Sequence, residues 1–388
     1  MNGHFTNKNN STIMWMCAIV FLLFSFLWLY GFQADVLAAV QHVMSGGRTQ
    51  YKPLLGAVLI TSILQILQLL VFSVFRLTNR GHSLTYFPSM LCLALISAVN
   101  TDIALSYSWG LRWLLVLMAL AIWVGICLVV RYIQNVEPDQ GVMVFFSRPM
   151  WINMFVLLLM MIGVAWISNT NAVFHYRMRA EACLRQGDYD GALNAGRKSL
   201  ESDVDLQMIR MYAMARRGEL GERLFHYPVV AGSSAMLPTS GESHFVYYPV
   251  DSLYHAFRAR PARQMLPTTY LKALAARSDL AVDYELCGLL IDRRLDDFVD
   301  RLPHYYSSGD SLDVNRLPKH YCEALTLYNH LRQNPVIVYH NPVMEEDYRN
   351  LQELEQSYPD VAERKGKVED MYGNTYWYYY KYPSSAEF

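Results

Sequence analysis

The sequence predicts an all-α protein in two parts: a polytopic membrane module followed by a helical domain that folds in water. Three observations carry this. Of 388 residues, 53% are hydrophobic, more than one globular core explains. Long apolar runs alternate with short loops up to about residue 170 and then stop. Charge changes at the same place: residues 1–170 hold eight Lys/Arg and four Asp/Glu, the remainder twenty-five and thirty. Neither half carries the cationic excess of a nucleic-acid surface, which excludes that partner class.

In the first part (residues 1–170) five spans are expected, at about 13–32, 54–75, 86–105, 111–133 and 150–167. A run of about 20 apolar residues matches a hydrocarbon core roughly 30 Å thick at 1.5 Å rise per residue. The first run is too long for a signal-peptide core and is read as a retained helix. Between the first two spans, Val36, Leu37, Val40 and Val43 or Met44 recur at helical spacing and predict a short amphipathic helix ended by Gly46-Gly47. Asn100, Thr101 and Asp102 interrupt the third run.

Five spans put the termini on opposite sides. A cytoplasmic N-terminus gathers Lys8, Arg76, Arg80, Arg131 and Arg148 inside, against Arg48 and Lys52 in outer loops with Arg112 at a boundary. The C-terminal domain is then extracytoplasmic. Asp102 and Arg112 are the weak catalytic candidates, as a charge pair beside the membrane; both also suit helix ends that reach headgroup water. Gln65 and Gln68 suit hydrogen bonding between helices.

The second part (171–388) shows helical spacing throughout. Val173–Gln186 forms one apolar stripe, Gly187-Asp188 turns the chain, and a second stripe runs from Tyr189 to Leu200. This resembles a tetratricopeptide repeat, with Ala180, Gly187, Tyr189 and Ala192 at the signature offsets. Small Ala180 and Ala192 let two helices approach, Gly187 makes the turn, and Tyr189 fills the gap between them. The pattern departs at Ser199 and Val204, and the next turn glycine, Gly218, comes 31 residues after Gly187 rather than 34. The unit Leu206–Phe225 with Ala213 reads as a second, shorter hairpin, and His226–Glu242 as a loop. Further helices are expected over 268–276, 280–293, 295–302, 318–331 and 345–356. The aromatic element Val368–Tyr382 comes last. It serves either as an interaction surface, through Tyr376, Trp377, Tyr378 and Tyr380, or as a cap on the last hairpin.

The catalytic motifs are weak. Gly309-Asp310-Ser311 lacks the preceding hydrophobic strand of a serine esterase, and Ser233-Ser234 lacks the nucleophile elbow. His320 and His340 with Glu345, Glu346 and Asp347 lack ligand-pair spacing, so no metal and no cofactor is expected. Six scattered cysteines form no CxxC pair and read as buried thiols.

The C-terminal third also resembles an uncharacterised family of multi-pass membrane proteins from Bacteroidetes-type bacteria. The resemblance rests on Leu317-Pro318-Lys319-His320-Tyr321, Glu323-Ala324-Leu325, Tyr339-His340-Asn341-Pro342 through Tyr348, and Gly373-Asn374-Thr375-Tyr376-Trp377-Tyr378. It implies a bacterial inner membrane with a periplasmic C-terminal domain, and no known activity. The expected function is a membrane-anchored helical-repeat scaffold that binds a protein or peptide. The alternative is a membrane enzyme for a lipid-linked or envelope-glycan substrate; Asp102→Asn separates the two, since a scaffold tolerates it.

Overall fold

The structure, a computed structural model, describes residues 2–99, 109–136, 147–238, 245–260, 267–308 and 311–383. It is all-α and divides into two compact units, Met1–Asn171 and Ala172–Phe388.

The first unit contains α1 (Asn2–Leu27), which passes into a π-helical turn over Trp28–Phe32, then α2 (Ala34–Ser45) and α3 (Pro53–Phe75). It continues with α4 (Phe87–Ser97), α5 (Trp109–Val136) and α6 (Arg148–Ile167). Among the described residues four stretches, Ser11–Phe32, Pro53–Phe75, Trp113–Gln134 and Arg148–Ile167, are long and apolar enough to cross a membrane. Most of their side chains face outward, as lipid contact requires: Leu59, Ile63, Leu117 and Phe155 are each at least 60% exposed.

The expected third span takes a different form. Only Phe87–Ser97 is α-helical, 11 residues, and part of the span expected beyond it lies outside the described residues. The chain before it, Asn79–Tyr86, is wound as 3-10 helix. Such backbone needs partners in apolar surroundings, and neighbouring helices supply them. Asn153 Oδ1 accepts the Ser83 amide at 2.7 Å, and Trp123 Nε1 donates to the Leu84 carbonyl at 2.8 Å. Gln68 Nε2 donates to Thr85 Oγ1 at 2.9 Å, while Gln65 donates to Gln68 at 2.9 Å. In α2 the buried residues are Val36, Leu37 and Ala39; Val43 and Met44 stay exposed, and Gly46 ends the helix at φ +59°.

The second unit opens with α7 (Ala172–Arg185), α8 (Tyr189–Asn194) and α9 (Val204–Arg217). Gly187 takes φ +74° at the turn, and the Asp188 side chain caps α8 by accepting the Gly191 amide at 2.8 Å. Ala180 and Ala192 are fully buried where the helices meet, and Tyr189 packs at the rim with the Arg216 guanidinium 5.4 Å from its ring centre. The second stripe was expected to stay helical to Leu200, but α8 ends at Asn194. Gly196 adopts φ +62°, and the Tyr176 ring occupies the space where a Cβ on Gly196 would project.

Then follow α10 (Leu220–Arg223), α11 (Val250–Ala256), α12 (Pro267–Ala275), α13 (Val282–Ile291), α14 (Leu295–Arg301) and α15 (Pro303–Tyr306). A two-residue antiparallel pair sets Ser307 opposite Leu312. The unit closes with α16 (Lys319–Leu331), α17 (Pro342–Ser357), α18 (Val361–Tyr372) and α19 (Tyr376–Lys381). The expected single element Val368–Tyr382 is therefore split: α18 stops at Gly373, and Thr375 starts α19 by accepting the Tyr378 amide at 3.3 Å. One hydrophobic core runs from Ala180 to Trp377.

Candidate interaction surface

α16 buries the continuous stretch from His320 to Tyr328, which includes a histidine and a carboxylate, His320 and Glu323. The Phe225 amide points at His320 Nε2 (3.4 Å), so that nitrogen accepts and the proton sits on Nδ1. Nδ1 then donates to Glu323 Oε2 at 2.8 Å. The same oxygen accepts the Tyr376 amide at 2.7 Å, and the Glu323 carbonyl accepts Trp377 Nε1 at 2.7 Å. The pair is thus a latch that fastens α19 and the turn at Leu224–His226 onto α16. Its polar atoms are consumed by the fold, as buried polar groups require. Beside it, burial first, and then the positive charges of Lys319 and Arg223, push His226 down to about 4.

This arrangement corrects one reading of the aromatic run. Tyr376 and Trp377, candidates for an interaction surface, are buried, while Tyr378 and Tyr380 are half-buried. Trp377 instead supports a stack that leads outward. Its ring lies 5.2 Å from Tyr348, and Tyr348 lies 4.7 Å from His330. Lys381 Nζ sits 5.0 Å from the Tyr348 ring centre and pairs with Glu355 at 2.7 Å.

Above that stack the chain between α16 and α17 is irregular yet pinned. Asn329 Nδ2 donates to the Tyr339 carbonyl at 2.6 Å, and the Val336 amide donates to the Tyr328 hydroxyl at 3.3 Å. Asn341 caps α17, its Oδ1 accepting the amides of Val343 (3.1 Å) and Met344 (3.3 Å), with Pro342 in the first turn. Pinning the backbone leaves the aliphatic side chains outside: Val336 is 77% exposed, Val343 68%, Val338 62% and Leu331 44%. The same stretch lines a half-open depression of about 300 Å³ formed by Asn329, His330, His340, Glu345, Arg349 and Gln352. His340 lies 3.1 Å from Glu345, and Arg349 makes no ion pair among the described residues. Exposed aliphatics thus border a polar depression that carries one guanidinium, Arg349, together with the Glu345 carboxylate.

A second depression, about 190 Å³, lies between α12, α13 and α14. Its buried Glu285 accepts Tyr305 OH at 2.5 Å and lies 3.6 Å from Arg301, while Arg294 pairs with Asp297 at 2.7 Å. Nearby, burial raises the Asp283 carboxyl, whose Oδ1 accepts the hydroxyls of Tyr321 (2.8 Å) and Tyr306 (2.9 Å). These contacts join elements of the core.

The other sequence candidates fall as follows. Asp102 lies outside the described residues, and Arg112 is on α5 with its side chain outside them. Gly309 and Asp310 also lie outside. Ser233 is buried and binds Asp292 through its amide (2.9 Å) and its hydroxyl (2.5 Å), which ties a turn to the end of α13. His320 and His340 serve separate contacts, and no group of three or more His, Cys, Asp or Glu among the described residues could hold a metal. The surface over residues 329–352 escaped the sequence reading. The run Val336-Ile337-Val338 between two helices was its one visible signal, and only tertiary packing shows which of those side chains face out.

Residues 256–383 match a protein family described as a family of unknown function (DUF6057). The match takes in His320, Glu323 and α19 of the latch and the exposed surface, and leaves uncovered the first unit, α7–α10, the Leu224–His226 turn and all of α11 but Ala256. Neither a curated protein nor a solved structure shows significant similarity to the chain.

Proposed function

We propose that the protein is a membrane-anchored helical scaffold that binds a protein or peptide partner through the face built by residues 329–352. The observation that carries this is the exposed set Leu331, Val336, Val338 and Val343 beside the depression lined by Arg349, which makes no ion pair among the described residues. A side-chain-sized, half-open depression flanked by aliphatics suits an extended segment better than an enclosed metabolite. The α7–α8 pair, with Ala180 and Ala192 at its contact and Gly187 at its turn, supports a tetratricopeptide-like array, a class that presents long surfaces to such partners. Basic residues near the span ends favour a cytoplasmic N-terminus; a periplasmic second unit in a bacterial inner membrane further requires that the stretch at about 86–105 cross as a fifth span beside the four membrane-length helices.

The test is affinity capture from detergent-solubilised membranes with the wild-type chain and with Val336→Asp/Val338→Asp/Arg349→Glu. A partner held by the wild type and lost by the variant supports the reading. Equal recovery by both, or no partner with either, overturns it.

A further inference from the structure

The turn between α8 and α9 has a composition its packing does not explain. Its two ends are fastened: Arg210 donates to the carbonyls of Ala195 (3.1 Å) and Gly196 (3.2 Å), and Arg177 pairs with Asp203 (3.2 Å) and Asp205 (3.0 Å). The middle points away from the unit. Arg197 and Lys198 are exposed and make no ion pair among the described residues, Leu200 is 81% exposed and Val204 44%. Glu201, next to Leu200, is also exposed, and the turn's other carboxylate, Asp203, is the one paired with Arg177. Two unpaired cations followed by a bare leucine match the composition of a segment at a headgroup boundary, where the cations meet phosphates and the aliphatic side chain enters the acyl edge.

Chain connectivity bounds how far the helix that carries this turn begins from the end of α6. It packs on the first turns of α7, through Tyr176 over Gly196 and Arg177 on Asp203. α7 begins at Ala172, five residues after Ile167 ends the membrane-length helix α6, a step of at most about 17 Å when fully extended. Trp166, 89% exposed at that helix end, is the residue type that sits at a membrane interface.

We infer that the Arg197–Leu200 turn docks on the bilayer surface, with Arg197 and Lys198 on anionic phospholipid headgroups. The inference rests on the chain being membrane-inserted, and not on the partner surface at residues 329–352.

The test uses the full chain, its insertion verified by resistance to alkaline extraction. It is reconstituted in nanodiscs of zwitterionic lipid with and without a phosphoglycerol lipid, and kept in neutral detergent as reference. Acylation of Lys198 by an amine reagent is quantified by mass spectrometry against Lys367, exposed on α18. The Lys198-to-Lys367 ratio is expected to fall about fivefold in anionic discs relative to detergent, which corresponds to the attraction of one cation to such a surface. Arg197→Glu/Leu200→Asp should restore the ratio. A ratio equal in all three media overturns the inference while leaving insertion intact. Protection in detergent that grows with protein concentration overturns it too, in favour of self-association. Loss of the chain to alkaline extraction refutes the membrane reading itself.

Discussion

Glu323 shows how a single side chain can look functional and act structurally. It is acidic, buried and hydrogen-bonded to a histidine, the composition of many catalytic pairs, yet each contact fastens one element to another. Glu323→Ala strands the His320 Nδ1–H and the Tyr376 amide in the core, and should cost unit 2 about 3 kcal/mol in denaturant unfolding followed by aromatic fluorescence. Glu323→Gln, which keeps an acceptor oxygen, should lose about 1 kcal/mol. Glu181 is the corresponding case on α7. One oxygen accepts the amides of Val246 (2.7 Å) and Tyr247 (2.8 Å), the other has no hydrogen-bond partner among the described residues, and burial pushes the carboxyl up to about 7. A raised folded-state value means the folded form holds a proton the unfolded chain has released. Its stabilising contribution is therefore complete below the usual carboxylate range and lost as pH rises to about 7. Stability should fall across pH 5 to 7 with a slope of at most about 1.4 kcal/mol per pH unit, and Glu181→Gln should remove that slope in melting curves.

Among elements, caps and turns decide what periodicity leaves open. α17 starts at Pro342, three residues before the expected 345, because the Asn341 side-chain oxygen meets the two first free amides with a proline in the first turn. Asn341→Ala should cost about 1 kcal/mol and speed hydrogen exchange in the first turn of α17. α8 stops early for a reason that periodicity cannot express: Gly196 is left-handed and lies under the Tyr176 ring. Gly196→Ala should destabilise the unit by about 1–2 kcal/mol in the same unfolding measurement, from the positive φ and the displaced ring together. Hydropathy signals length along the chain. It does not report that Asn153, Trp123 and Gln68 hold residues 79–86 in a 3-10 winding and shorten the helix that follows.

For the whole molecule, the exposed aliphatics at 331–343 are an outward surface whose removal leaves the core intact. Val336→Asp/Val338→Asp should change unfolding free energy by less than about 0.5 kcal/mol, while partner capture is lost. The sequence by itself determined the all-α class and the membrane-length helices, because apolar run length and helical spacing are local quantities written in residue order. It also contained the latch residues, visible in Leu317–Leu325 and Thr375–Trp377 as two motifs with no stated relation. Only the tertiary structure decided that Glu323 joins them, that Tyr376 and Trp377 lie inside, and that the valines beside His340 lie outside. Those outcomes depend on which side of each helix its neighbours cover, and burial is a property of the packed chain.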